Sequence, residues 1–457
     1  MDKGTKAFII KAVIGTAIVS MYVGTSVFFM DSFYFGTTLS DLKIGGKTVD
    51  AVKVAIEEKG ENYELSLYGR DGEKQILKGE LFELVYEIKE DVEELKKGQK
   101  AFGWPLALFS SKAFNISETA TYNEAKLEEA IKELSYFEEE NMIEPENATL
   151  SFNGTSYDII PEKEGNKLNF ERVKEIVKQA IEKSERVVNL EESGCYETAT
   201  FTAKSPEVLK AQEMFNQYLQ ADITYLFGTQ EEKVDSELIS SWLEFTSQGE
   251  VLLNEDKVKG YIRELDNKYS TLGATRQFKT SDGTIATVSG GDYGWQVSVS
   301  KETEALLTAI KEGQTIYREP ISTSVSQSYN SSDIGDTYVE ISLTKQYLWF
   351  YKDGKLLTKG GIVTGDQRRN YSTPQGTYKL DYKQRNATLR GPGYVTPVNY
   401  WMPFNKNIGL HDATWRSSFG GKIYLANGSH GCVNAPYDMA QIIFNNIESG
   451  TPIVCYY

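Results

Sequence analysis

Histidine is almost absent from this chain: 457 residues hold only two, His411 and His430. Cysteine is hardly commoner, with three copies, Cys195, Cys432 and Cys455. An odd count leaves at least one thiol unpaired, so a disulfide framework is not supported. No CxxC or Cys/His spacing suits a metal site, and no metal or cofactor is expected. Net positive charge is missing too. Against 49 Lys+Arg stand 65 Asp+Glu, a net of −16, which makes nucleic acid an unsuitable partner. Proline is sparse at 11, while 40% hydrophobic and 12% aromatic residues describe a chain that folds.

The scarce residue types converge. His411, His430 and Cys432 fall within 22 positions, the last two inside Ser429-His430-Gly431-Cys432-Val433-Asn434. A thiol that attacks and an imidazole that takes its proton are the parts of a nucleophilic cysteine enzyme. An inert buried cysteine beside a core histidine is the plainer alternative. Charge is also unevenly spread. Residues 336–457 carry 13 basic and 8 acidic side chains, so a net-basic C-terminal part follows an acidic body. That suits an anionic polymer or a carboxylate-rich substrate, or is ordinary variation between domains.

A length of 457 residues implies about three domains. The first segment is distinctive. Lys3, Lys6 and Lys11 precede residues 12–30, an uncharged apolar run closed by Asp31. As a helix the run spans about 28 Å, close to the roughly 30 Å hydrocarbon core of a bilayer. The lysines place the N-terminus in the cytoplasm and everything after Asp31 outside. A cleaved signal peptide is the competitor, but no small-x-small site precedes Asp31.

Beyond the anchor, Thr48 is placed to cap a helix beginning at Val49. Strand-like alternation follows over residues 63–68, with a hairpin turn at Arg70-Asp71-Gly72. A repeat then appears. Tyr122-Asn-Glu-Ala-Lys-Leu-Glu-Glu-Ala-Ile-Lys-Glu-Leu134 aligns with Leu253-Asn-Glu-Asp-Lys-Val-Lys-Gly-Tyr-Ile-Arg-Glu-Leu265. Gly154 and Gly165 correspond to Gly283 and Gly294, Leu168 to Val297, and Ala180-Ile181 to Ala309-Ile310. A helix, a hairpin and a second helix are duplicated, and two copies are too few for a solenoid. The region resembles the peptidoglycan-binding modules of membrane-anchored Gram-positive wall proteins. It either binds the wall or holds the next domain off the membrane. A polar run from Ser322 to Asp333 reads as a linker.

The C-terminal part reads as short strands with Gly and Pro turns: residues 338–343, 346–351 closed by Asp353-Gly354, 361–365, 377–380 and 451–454. One helix is expected from Pro436 to Asn446. Here several pieces occur in a specific order: Val363-Thr364-Gly365, Thr373-Pro374-Gln375-Gly376, Tyr400-Trp401-Met402-Pro403-Phe404, Gly409-Leu410-His411-Asp412-Ala413, then residues 429–434. With 17 residues between His411 and Ser429, this pattern resembles the L,D-transpeptidase catalytic domain.

The resemblance implies a multi-domain chain. It comprises a cytoplasmic tail (1–11), a transmembrane helix (12–30), an α+β region (36–120), the duplicated α+β region (121–320), a linker (321–336) and a mainly-β catalytic domain (337–457). It also implies chemistry. Cys432 is the nucleophile and His411 its base, oriented by the backbone carbonyl of Asp412. The acyl donor is a peptidoglycan tetrapeptide stem, which loses D-Ala. A neighbouring stem amine then attacks the thioester to give a 3→3 cross-link, while attack by water makes an L,D-carboxypeptidase. The backbone N–H groups of Gly431 and Cys432 are candidates for the oxyanion hole. Ser429 and Asn434 are expected to fix the loop. His430 either supplies a polar contact or shapes the turn. Tyr400 and Trp401 line the cleft or belong to the core, and Arg416 meets a substrate carboxylate or lies free on the surface. A wall-peptide cysteine peptidase needs the same Cys432 and His411, whereas the intact His411, Gly431, Cys432 and Asn434 count against a non-catalytic wall-binding scaffold. The implied location is a single-pass cell membrane protein with its catalytic domain facing the wall.

Overall fold

In the computed structural model, which describes residues 2–40, 42–70, 72–88, 91–109, 112–114, 118–329, 333–391 and 393–457, the chain opens with one long helix, Lys3–Asp31. Large apolar side chains such as Phe8, Ile18 and Met21 stand exposed along it. Length and composition suit a membrane anchor or a signal sequence. The chain forms two compact units, the first of which includes this helix. One contains Met1–Ala148 and Pro161–Ala203, the other Thr149–Ile160 and Lys204–Tyr457.

In the first unit Thr48 caps the helix Val49–Glu61 by accepting from the Ala51 N–H at 3.3 Å. Strand Glu64–Tyr68 pairs antiparallel with Lys74–Lys78 and parallel with Val187–Asn189. The turn expected at Arg70-Asp71-Gly72 includes residue 71, which lies outside the described residues. Alternation along the first strand sends Leu65 and Leu67 inward. There they meet Leu127 and Ile131 from Glu124–Lys132 and Val173, Val177 and Ile181 from Phe170–Glu182.

The second unit repeats this order. Helix Pro206–Tyr218 precedes the antiparallel strands Asp222–Phe227 and Gln230–Val234, and Thr315–Arg318 returns parallel to the first. Asn123 and Asn254 each cap the aligned helix by accepting from the N–H three residues on, at 3.2 and 3.1 Å. Gly154 and Gly283 turn their hairpins at φ +103° and +88°. The duplication is therefore longer than the sequence alignment indicates. A boundary at residue 120 also runs through one core, since Phe82 and Tyr86 pack with Leu127 and Ile131. Hydrophobic contact across that position is continuous, so 36–120 and 121–203 do not separate.

Two departures from the repeat matter later. Between the paired strands Val85–Ile88 and Glu118–Thr121 the first copy inserts residues 89–117, whereas the second closes the equivalent pair with 246–250. Moreover, the hairpin Thr149–Phe152/Tyr157–Ile160, first copy by sequence, belongs to the second unit. Tyr157 packs its ring 4.8 Å from Phe215 and donates its hydroxyl to the Ser240 carbonyl at 2.9 Å.

The C-terminal part carries two sheets. Five strands run in the order Lys355–Gly361, Tyr347–Lys352, Tyr338–Ser342, Pro452–Tyr456, Gly376–Lys379. Four run Gln384–Gly391, Tyr394–Asn405, Ile408–Asp412, Val433–Ala435. Helix Tyr437–Asn446 shares their core through Met439, Ala440 and Ile443, against Phe350, Met402, Phe404 and Leu410. Asp353 and Gly354 both have positive φ, as a two-residue hairpin turn requires. The strand expected over 361–365 ends at Gly361. Val363 and Gly365 instead make single bridges to Asn434 and Ser429, so this segment serves the loop around Cys432.

The second copy's hairpin, Arg276–Lys279/Ile285–Val288, is fastened to these sheets. Phe278, Val288 and Tyr293 pack on Val454 and Tyr456. The fully buried Glu340 carboxylate accepts from the Ser281 N–H at 3.0 Å and the Tyr456 hydroxyl at 2.6 Å. Along the edge strand Gly376–Lys379, Thr377 donates to the Gly290 carbonyl and accepts from the Tyr293 N–H. This covers an otherwise open sheet edge. The polar stretch read as a linker is likewise held. Residues 322–324 pair with the strand Gln296–Val297, Tyr329 stacks on Trp295 at 3.8 Å, and Asp333 forms a buried ion pair with Arg276. Residues 330–332 of that stretch lie outside the described residues.

Candidate active site

Two adjacent parallel strands bring the scarce residues together. His411 lies on Ile408–Asp412, in register with Asn434 on Val433–Ala435, and Cys432 immediately precedes the latter strand. Both line a cavity of about 400 Å³ together with His430, Asn434, Arg416 and Tyr394.

Loop geometry presents the thiol. Gly431 has φ +117°, a conformation an L side chain rarely adopts. Its N–H donates to Ser429 Oγ at 3.1 Å, and its carbonyl accepts from Thr373 Oγ1 at 2.6 Å. The Ser429 hydroxyl in turn donates to the Cys432 carbonyl. Ser429 N–H donates to the Thr364 carbonyl, and Val363 and Asn434 exchange backbone bonds. Residues of the Val-Thr-Gly and Thr-Pro-Gln-Gly motifs thus brace the cysteine loop. The Gly431 N–H expected in an oxyanion hole is occupied by Ser429, because the tight turn folds that hydroxyl back onto it.

His411 is 3% exposed, and its Nδ1 lies 2.8 Å from the Asp412 carbonyl oxygen. That acceptor fixes the proton on Nδ1 and leaves Nε2 unprotonated. Asp412 is fully buried and turns its carboxylate elsewhere, accepting at 2.8 Å each from Asn399 N–H, Tyr400 N–H and Asn399 Nδ2. Burial lowers the His411 pKa below the usual imidazole value, the Asp412 carbonyl pulling the other way. Burial also pushes the Cys432 thiol up to about 11, opposed by the Gly409 N–H. Both shifts favour the neutral thiol and the neutral imidazole.

The other expected residues divide. His430 is exposed and sits between the Tyr371 and Tyr394 rings, at 4.8 and 4.7 Å. Arg416 lines the cavity, donates Nη1 to the Asn427 carbonyl at 2.9 Å, and has no carboxylate in ion-pair range among the described residues. Among the described residues its Nε is buried without a partner, as is Asn434 Oδ1. Tyr400 is not a cleft residue. Neighbouring positions on a strand face opposite ways, so Tyr400 points to the helix, accepting from Gln441 Nε2 at 2.7 Å. Trp401 faces the other side and packs beneath Cys432, 5.9 Å from the His411 ring, without lining the cavity.

Sequence reasoning missed the hairpin Gln384–Gly391/Tyr394–Asn405, whose Leu389, Tyr394 and Val395 wall the cavity, as well as Trp415. The signal was present: Gly391 and Gly393 flank the turn between two alternating stretches. Cys195 is buried in the core of the first unit and Cys455 in the core shared by the two C-terminal sheets, their thiols raised by burial.

Residues 336–455 match the family described as "L,D-transpeptidase catalytic domain". Residues 83–189 and 202–318 match that described as "Putative peptidoglycan binding domain". Among solved structures, the chain is 35% identical to the Ldtfm-avibactam carbamoyl enzyme, covering 55% of this chain and 99% of that one, with a TM-score of 0.46. It is 33% identical to an Enterococcus faecium L,D-transpeptidase crystallised as a mutant, covering 55% and 100%, with a TM-score of 0.45. The catalytic domain of the E. faecium enzyme acylated by ertapenem is 39% identical over 26% of this chain and 97% of that one, with a TM-score of 0.25. No curated protein matches. The chain belongs to the L,D-transpeptidase family. It is an L,D-transpeptidase enzyme, and its middle region is a pair of repeats of a peptidoglycan-binding family. Peptidoglycan is accordingly its partner. For an L,D-transpeptidase the braced cysteine loop and carbonyl-oriented histidine are where acyl transfer is to be sought.

Proposed function

We propose that this L,D-transpeptidase forms 3→3 cross-links through a thioester on Cys432. The observation that carries this reading is the His411 Nδ1 contact with the Asp412 carbonyl, which leaves Nε2 as a base in the cavity shared with Cys432. As Cys432 attacks the carbonyl of the third stem residue, its proton passes to His411 Nε2. The tetrahedral oxyanion collapses, D-Ala leaves as an amine that takes that proton, and the acyl group remains on sulfur. The amine of a neighbouring stem then adds to the thioester, losing its proton to His411, and the thiol is regenerated. With the Gly431 N–H engaged by Ser429, the Cys432 N–H is the remaining loop amide for the oxyanion. Arg416, a cavity cation without a carboxylate partner among the described residues, receives a carboxylate of the donor stem. His430 holds the loop by its place between Tyr371 and Tyr394. The first helix acts as an uncleaved single-pass anchor that leaves the catalytic domain on the wall side.

The test is mass spectrometry of the purified protein incubated with disaccharide-tetrapeptide. Dimers lighter by one D-Ala support cross-linking, tripeptide alone indicates an L,D-carboxypeptidase, and activity surviving Cys432→Ala refutes the mechanism. A carbapenem adduct on Cys432 is expected in the intact mass, in line with the ertapenem-acylated relative.

A further inference from the structure

The insertion that sets the first repeat apart from the second contains an apolar run, Ala101-Phe102-Gly103-Trp104-Pro105-Leu106-Ala107-Leu108-Phe109, bounded by Lys96, Lys97 and Lys100 before it and Lys112 after it. It folds as two short turns, Ala101–Gly103 and Trp104–Ala107. Both lie against the first helix. Tyr22 donates its hydroxyl to the Phe102 carbonyl at 2.8 Å, and its ring lies 6.2 Å from Phe102 and 6.1 Å from Trp104. Phe29 lies 6.2 Å from Trp104, and Lys96 Nζ donates to the Phe29 carbonyl at 2.9 Å.

Tyr22, Ser26 and Phe29 follow i, i+4, i+7 spacing, so one stripe of the helix is covered by this segment. Ser26 and Phe29 are buried, while Val23, Val27 and Met30 on other faces stay exposed. Tyr22 lies nine residues before Asp31, about 13 Å along the axis. If the helix spans a bilayer of roughly 30 Å with Asp31 at its outer edge, the contacts with Tyr22 descend well into the outer leaflet. The side of the segment turned away from the helix is also apolar, with Phe109 91% and Leu108 62% exposed. Trp104 Nε1 has no hydrogen-bond partner among the described residues. A half-buried indole beside apolar exposed neighbours, edged by lysines, has the composition of a segment seated at a lipid interface.

We infer that residues 101–109 form a second membrane-contacting element, a wedge that enters the outer leaflet beside the first helix and fixes the first repeat against the lipid surface. The occupant of its exposed apolar face is lipid acyl chain, with Lys97, Lys100 and Lys112 at headgroup level. The inference rests on the reading of the first helix as an anchor. Continuity argues for lipid over a protein partner: the wedge lies on the stripe of the very helix whose other faces are apolar and exposed.

Full-length protein reconstituted in phosphatidylcholine/phosphatidylglycerol vesicles decides the matter. Flotation after carbonate washing reads the anchor, and quenching of tryptophan emission by lipids carrying a spin label on the upper acyl chain reads the wedge. The expected result is flotation together with a quenched component that W104F removes and that the triple variant F102S/L108S/F109S reduces at least twofold, flotation being kept in both. Flotation with no quenching beyond that of W104F overturns the wedge and leaves the anchor standing. Failure to float overturns both. A cross-link between two copies through F109C, without quenching, assigns the face to a second copy instead of lipid.

Discussion

Asp412 separates two tasks between its two kinds of oxygen. The main-chain carbonyl meets His411 Nδ1, while the carboxylate gathers three N–H donors from Asn399 and Tyr400. Asp412→Asn is therefore expected to keep carbapenem acylation within about tenfold of the parent, measured by stopped-flow. Loss of a carboxylate that itself orients the histidine costs about 10⁴-fold. Asp412→Ala leaves the donors buried and unpaired and is expected to lower stability by about 3 kcal/mol in denaturant titration. The pH dependence follows from the directions of the two shifts. His411 is lowered, so its base form persists below the ordinary imidazole value of roughly 6.5, and the acidic limb of acylation falls below that pH. The thiol at about 11 gives up its proton only to the base during attack, so the rate stays flat through neutrality. A limb centred above pH 7 would contradict general-base activation. Arg416 contributes a positive field that helps hold the His411 pKa down. Arg416→Gln should therefore raise KM for the tetrapeptide donor several-fold, with a smaller change in kcat, and move the acidic limb upward.

At the scale of elements, the hairpin at residues 276–288 and the strand it approaches act together. A Cβ on Gly291 would sit 1.9 Å from the Thr377 carbonyl oxygen, and the residue has φ +93°. Gly291→Ala is expected to cost roughly 3 kcal/mol, read as a lowered thermal midpoint. Much of the site was legible because its signals are local: His411, Gly431 and Cys432 stand out by scarcity and by a motif in which each residue has a steric or chemical reason. The capped helices were legible for the same reason, with Asn123 and Asn254 leading matched apolar faces. What escaped depends on partners distant in sequence. The strands Gln384–Gly391, Tyr394–Asn405 and Ile408–Asp412 pair as sequence neighbours, but the helix Tyr437–Asn446, further along the chain, decides which of their faces becomes core, and so sets Tyr400 inward and leaves Tyr394 to the cavity. The repeat's first helices, Val49–Glu61 and Pro206–Tyr218, share shape and place while their apolar residues follow no common sequence.

For the molecule as a whole, the two units are not consecutive stretches of chain. Thr149–Ile160 leaves the first unit's sequence to join the second, and the chain then returns at Pro161. Tyr157→Ala, which removes a ring packed on Phe215 and a bond to Ser240, is expected to destabilise the second unit by about 3 kcal/mol. Hydrogen exchange would show the loss in residues 206–242 as well as at the hairpin.

The same crossing sets an order of events during synthesis. When Ile160 has been made, the partners of its hairpin, from Phe215 to Trp242, do not yet exist. At about 5–20 residues per second, roughly 4–16 s pass before they do. For that interval Phe152 and Tyr157 have no core to enter, and the nascent chain carries a pair of apolar strand edges in waiting. A pause or premature stop after Ala203 and before Phe215 yields a first unit whose own residues are complete, yet which trails an adhesive hairpin meant for a neighbour not yet made.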